Sequence, residues 1–256
     1  MLLKLDAGGS LLGDWYSVKS EGQVIIDGMN LLGYDAMGVG RMELALGLEL
    51  ALDAAKSAEF PLLSANVVDS ESKKPIFQPY ATFERNGVRI GIIGLSEDNA
   101  NAARGVQEVV TVLPAVETAR ALVPQLRPEV DLLILLSHLG IEEDHAVAAA
   151  VPGIDIIVGG NTRKLMREPE REGDTLIIQQ GYSGEWVGRL SVKFDEDGVP
   201  SDIKTDVITL DDQFQDDPQM AALVAKYMEM YPPPTPMPTR TLSPELQKTQ
   251  TAAATK

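Results

Sequence analysis

The chain of 256 residues holds two histidines and no cysteine, so imidazole or thiolate chemistry has few places to sit. His138 lies in Ser137-His138-Leu139-Gly140, and His145 follows among Glu142, Glu143 and Asp144. Ser137 beside His138 has the residue types of a nucleophile and its base. Neighbours in a strand point to opposite faces, however, so the pair cannot share the required hydrogen bond. His145, in its acidic surroundings, reads as a solvated surface histidine. A second polar stretch, Gly159-Gly160-Asn161-Thr162-Arg163-Lys164, contains a glycine pair but not the lysine and hydroxyl spacing of a P-loop.

Both stretches follow short apolar runs, at residues 132–136 and 154–158. Neither run alternates, which suits parallel strands covered on both faces. Residues 142–151 between them are long enough for one helix, giving a strand–helix–strand unit. In such a sheet chemistry gathers at the carboxyl ends of the strands.

Composition narrows the choices. A hydrophobic content of 44% over this length can bury a real core. The net charge of −16 argues against nucleic acid or an anionic membrane as partner. No apolar run reaches about eighteen residues, so no membrane span is expected. The amino end lacks the basic start and cleavage region of a signal peptide.

Other elements deliver further loops to the same sheet edge. Residues 2–6 read as a strand breaking into Ala7-Gly8-Gly9-Ser10. A helix over 23–32 stops at Gly33, and a strand over 34–39 ends at Gly40-Arg41-Met42-Glu43 before a second helix running to about residue 58. A strand is expected over 62–67, and strands over 82–85 and 88–95 flank Asn86-Gly87, a strong hairpin signal. A helix over 114–126 precedes the central unit. Strands over 175–180, 189–194 and 203–210, with a turn at Asp197-Gly198, lead to a helix that Asp217-Pro218 starts. Trp15, Tyr16, Tyr182 and Trp186 are expected to pack at the loop edge. Residues 1–231 form one domain, and the Pro- and Thr-rich residues 232–256 read as an extended tail.

The ordered blocks LDAGG, IIDGMNLLGYDAMGVGRMEL, FPLLSANVVD, GVRIGIIGL, LLSHLG, IDIIVGGNTRKL and IIQQGYSGEWVGRL, spread over residues 2–230, resemble the calcineurin-like metallophosphoesterase domain of the 5'-nucleotidase and UDP-sugar hydrolase family. The resemblance implies a four-layer α/β/β/α sandwich of two mixed sheets with a two-metal site at the strand ends. The family's first strand, with its Asp-x-His ligands, is expected upstream of Leu2. A second, nucleotide-binding domain would follow the helix that begins at Asp217, where the Pro-rich segment stands instead.

The metal-site positions depart from the family. Gly9 stands where the resemblance implies the bridging aspartate, Arg41 and Met42 where it implies the Asn-His pair, and Asn161 and Arg163 where it implies two histidines. Glu43 and His138 match. One histidine cannot hold two ions and activate a hydroxide between them, and Arg41 and Arg163 bring positive charge that repels cations. No metal or other cofactor is expected. The arginines are expected to point into the vacated site and neutralise carboxylates such as Asp6 and Glu43, with a metal-free anion clamp of Arg41, Arg163 and Lys164 as the alternative. The expected function is a catalytically inactive binding or structural subunit of an extracytoplasmic, periplasmic or extracellular assembly, with a c-type cytochrome among the candidate partners. The alternative is a residual metal-dependent phosphoesterase. A strand from a partner, or from an upstream segment, is expected to cover the open sheet edge beside residues 2–6.

Overall fold

A computed structural model describes residues 2–195 and 200–234. In chain order the elements are β1 (Leu5–Asp6), α1 (Trp15–Lys19), α2 (Gln23–Leu32), β2 (Ala36–Gly38), α3 (Arg41–Leu44), α4 (Leu48–Ser57), β3 (Leu62–Leu63), β4 (Val67–Asp69), β5 (Tyr80–Arg85), β6 (Val88–Ser96) and β7 (Val110–Val112). There follow α5 (Ala115–Leu126), β8 (Leu132–His138), α6 (Ile141–Ala150), β9 (Ile156–Gly159), β10 (Glu170–Glu172), β11 (Thr175–Gln179), β12 (Trp186–Phe194), β13 (Pro200–Thr209) and α7 (Pro218–Met230).

Six strands make the large sheet, in the order β10-β11-β9-β8-β6-β5. Its four inner strands are parallel, and the two edges, β10 and β5, are antiparallel to their neighbours. Every residue of β8 is buried, as its unbroken apolar run requires. One face packs against α5 and α6 through Leu133, Leu135, Val123 and Val147. The other meets a second sheet layer through Ile92, Leu136, Ile156 and Ala36. That layer holds the parallel sheet β1-β2-β3 and, unpaired with it, the ladder β12–β13. Outside it lie α2 and α4, over Met37, Leu44 and Leu62, with α7 packed on α2. The four-layer α/β/β/α order follows. Each fully buried Leu or Ile in these layers contributes about 1.5 to 3 kcal/mol.

Local chemistry accounts for the boundaries. Asn86 and Gly87 adopt φ of 53° and 79°, the left-handed pair that a two-residue hairpin needs. Gly33 closes α2 at φ 65°, with the N–H groups of Gly33 and Tyr34 on the Asn30 and Met29 carbonyls. Asp217 caps α7 by accepting from the N–H groups of Gln219 and Met220, and Pro218 occupies the first turn.

Three expectations need correction. The helix expected after Gly40 is broken into α3 and α4, because Gly47 takes φ 112°, outside helical space. The strand expected over 62–67 is also divided. Asn66 ties the intervening loop to the Ser96 and Leu113 carbonyls instead of continuing a ladder. The short elements α1, β4, β7 and β10 were not anticipated. The Asp197-Gly198 turn and the tail beyond residue 234 lie outside the described residues.

Candidate functional site

The carboxyl ends of β1, β2, β8 and β9 converge on the imidazole of His138. Gly9, Gly40 and Gly160 surround it so closely that a Cβ on each would lie 2.5, 2.2 and 2.7 Å from ring atoms. The ring therefore fills the space that a side chain at position 9 would enter. Its Nδ1–H donates to the Ala7 carbonyl at 3.2 Å. Burial pulls the imidazole below its usual pKa, against the raising influence of Glu43.

Glu43 is the electrostatic centre of the loops. Its carboxylate accepts from the backbone N–H groups of Gly9 (2.9 Å), Ser10 (2.9 Å), Leu11 (3.2 Å) and Gly40 (2.7 Å). Burial pushes its carboxyl up, and those N–H groups, with His138, oppose the rise. Asp6 is handled similarly, accepting from Gly8 N–H at 2.8 Å and from the Ser10 hydroxyl at 2.9 Å, with burial again raising it.

The arginines do not neutralise Asp6 or Glu43, although the Arg41 charge acts on the Glu97 carboxyl, lowering it against the rise that burial causes. Neither Arg41 nor Arg163 forms an ion pair among the described residues, and Glu43 and Asp6 are satisfied by peptide and hydroxyl donors instead. Arg41 donates its backbone N–H to Glu97 Oε1 at 2.9 Å, while its side chain is exposed. Arg163, at φ 60°, lays its guanidinium over the Tyr182 ring, 5.5 Å from the centroid. Met42 lines a small hollow with Leu11, Leu46 and Leu50. Asn161 donates its amide to the Leu139 carbonyl at 3.1 Å. Lys164 pairs with Glu170 at 2.5 Å, so one of the three cations proposed for an anion clamp already has a partner.

Ser137 and His138 diverge as strand alternation requires. The Ser137 hydroxyl donates to Asp144, away from the imidazole. His145 is not simply solvated: it bridges Glu170 at 2.8 Å and Glu172 at 3.2 Å, which raises its pKa. Of the aromatics, Trp15 donates its indole N–H to the Tyr231 carbonyl, and Tyr182 carries Arg163.

Two buried carboxyls escaped sequence reasoning. Glu97 follows the carboxyl end of β6, where the strand-end rule could have found it, and its Oε2 has no hydrogen-bond partner among the described residues. Asp144 sits in an acidic triplet that reads as solvated, yet it is wholly buried.

A two-metal centre, which this fold implies, does not fit these residues. Among the described residues no three His, Asp or Glu side chains gather as a ligand set. Glu43 already has backbone donors on both oxygens, the Asn161 amide is engaged, and position 9 offers no side chain.

No family model matches the chain. Individual proteins do. It is 33% identical over 228 residues to protein UshA of Yersinia enterocolitica, covering 75% of this chain and 41% of UshA. It is 30% identical over 255 residues to the trifunctional nucleotide phosphoesterase protein YfkN of Bacillus subtilis, covering 84% of this chain and 17% of YfkN. The crystal structure of a 5'-nucleotidase precursor from Thermus thermophilus superposes with a TM-score of 0.81 at 30% identity, over 89% of this chain and 49% of that one. The chain thus spans less than half the length of these relatives. By sequence and by fold it is a calcineurin-like metallophosphoesterase domain of the 5'-nucleotidase family.

Proposed function

We propose that this domain serves as a catalytically inactive binding or structural subunit of an extracytoplasmic assembly. The observation that carries the reading is the closure of Gly9, Gly40 and Gly160 around His138. It leaves no room for a carboxylate at position 9 beside the imidazole, and a hydrolase of this type needs several Asp, Asn or His ligands per ion. The commitment of both Glu43 oxygens to backbone N–H groups supports the same conclusion. The extracytoplasmic placement is supported by the Thermus relative being a precursor.

A second reading, a metal-dependent phosphoesterase of the 5'-nucleotidase type, is favoured by the relatives themselves, since YfkN is a nucleotide phosphoesterase. A metal-free anion site is a third, supported by the exposed Arg41 and by Arg163 standing free of any ion pair among the described residues. One experiment separates the first two. The protein is dialysed against Mn²⁺, Co²⁺ or Zn²⁺, analysed for bound metal, and assayed with a phosphodiester and a 5'-nucleotide with and without EDTA. Substoichiometric metal and no EDTA-sensitive hydrolysis are expected. Two ions per chain with EDTA-sensitive turnover would establish the hydrolase instead.

A further inference from the structure

Behind the loops that meet on His138 lies a buried polar pocket. Asp144 of α6 is wholly buried there, and its Oδ1 accepts from the Ser137 hydroxyl. Its Oδ2 has no hydrogen-bond partner among the described residues. A Cβ on Gly159 would lie 2.5 Å from that oxygen and 3.3 Å from Nε2 of Gln179, which is also buried. Carboxyl and amide thus crowd one small space that the glycine at 159 leaves open.

Gln179, from β11, fastens residues 160–164. Its Nε2 donates to the Gly160 carbonyl at 2.6 Å and to the Thr162 hydroxyl at 3.3 Å, and its Oε1 accepts from the Lys164 N–H at 2.6 Å. This loop needs such ties, because Asn161 and Arg163 hold left-handed φ of 69° and 60°, which non-glycine residues keep only where their surroundings impose it. The pocket therefore holds an acceptor without a donor and, beside it, the amide that ties the loop. A neutral Asp144 leaves that arrangement standing. An ionised one needs a donor for each oxygen in this low dielectric, and Gln179 Nε2 is the side-chain N–H at hand. The charged groups acting on Asp144 are Glu143 and His145 of its own helix, and His145 is already held by Glu170 and Glu172 of β10. β8, β9 and β11 turn Ser137, Gly159 and Gln179 toward it, none of which titrates near neutral pH, and α5 meets α6 in an apolar cluster through Ala119 and Val123. His138, next to Ser137 along β8, is turned to the Ala7 carbonyl instead.

We propose that Asp144 and Gln179 form a pH-operated latch on residues 160–164: while Asp144 keeps its proton the amide fastens the loop, and when the carboxyl ionises the amide turns to Oδ2 and the loop is released. Burial holds that carboxyl up at about 7, so the change falls near neutral pH. Release frees Gly160, which stands against the His138 ring, and Arg163, which lies over Tyr182. The latch acts on the same strand ends whether they serve a partner, an anion or a metal, and its test uses none of these, so the proposed function and the latch can fail independently.

The test is amide hydrogen exchange of the full chain at about pH 5.5 and about pH 8.5, corrected for the intrinsic pH dependence of exchange. The N–H groups of Gly160, Thr162 and Lys164 are bonded to the Ser137 carbonyl, the Gly160 carbonyl and Gln179 Oε1. Their protection should fall at least about fivefold at the higher pH. Asp144→Asn should keep it equal at the two pH values within about twofold, and because both histidines still titrate in that variant, it isolates Asp144. Gln179→Met, which lacks the amide, should show the unprotected loop already at about pH 5.5 and no further loss at about pH 8.5. It decides the matter if Asp144→Asn does not fold, since a loss that arises from unfolding of the whole chain would survive in it. A parent loop equally protected at both pH values, or a pH-dependent loss that persists at full size in either variant, would overturn the proposal.

Discussion

Replacing Asp144 by Asn should remove a pH-dependent loss of stability. Asp144 is wholly buried, one of its oxygens accepts from the Ser137 hydroxyl, and the other has no partner. Burial pushes its carboxyl from 3.8 up to about 7. At about 1.4 kcal/mol per pH unit, ionising it in the folded state costs on the order of 4 kcal/mol. Because the folded value is above the unfolded one, this stability is fully present below about pH 3.8 and is lost as the pH climbs to about 7. The amide introduced by Asp144→Asn would not titrate. Its NH₂ would be a buried donor costing about 1 to 3 kcal/mol, but equally at every pH, so the difference between two pH values isolates the carboxyl. The pI near 4.5 rules out work in acid, where the uncharged protein would associate. Between about pH 5.5 and pH 8.5 the parent protein should lose about 2 kcal/mol more than Asp144→Asn, measured by urea unfolding at each pH. Parallel pH profiles, within about 0.5 kcal/mol, would refute the assignment of a raised carboxyl to this position.

Glu43→Ala should cost more than about 3 kcal/mol in urea unfolding, since it strips the acceptor from four backbone N–H groups at the loop centre; a loss below about 1 kcal/mol would show that water replaces the carboxylate freely. Gly9→Asp should destabilise by about 1 to 3 kcal/mol, because its Cβ would lie 2.5 Å from the His138 ring and its φ is 79°. Adding His138→Ala should restore part of that stability in thermal unfolding, and full additivity of the two losses would contradict the packing argument. His145→Ala should lose less than about 1 kcal/mol, near pH 6 only. The Glu170 hydrogen bond, with help from Glu172, raises the imidazole, so its contribution is present below about pH 6.5 and fades as pH rises through the folded value. Unfolding curves at pH 6 and pH 9 that show the same loss would exclude the ion pair as its source.

The sequence exposed those parts of the fold whose signal is local. The apolar run at β8 needs no context, and neither do Asn86-Gly87 or the cap at Asp217-Pro218. Elements of three residues, such as β7 and β10, have too few positions for any period to show. The break at Gly47 was masked by good helix formers on both sides of it. The site was less legible than the fold because its solution is non-local. That Glu43 would be neutralised by residues 9 to 11 and 40 depends on two loops meeting, and an arginine nearby in sequence looked the better partner. Asp144 illustrates the same limit: only the docking of α6 on β8 decides which of three consecutive acids turns toward Ser137.

The treatment of Glu43 bears on what the domain can bind. Strand ends and the turns that leave them direct several backbone N–H groups at one point, and such a nest attracts an anion. Here the chain supplies its own. With both Glu43 oxygens occupied by peptide donors, an incoming phosphate would have to displace a covalently tethered carboxylate and expose its charge to low dielectric. An anion can therefore reach only the rim, where the Arg41 side chain is exposed and Arg163 lies over Tyr182. At the centre, the three glycines that enclose the His138 ring bring no side chain to complete a cation's ligand set beside it.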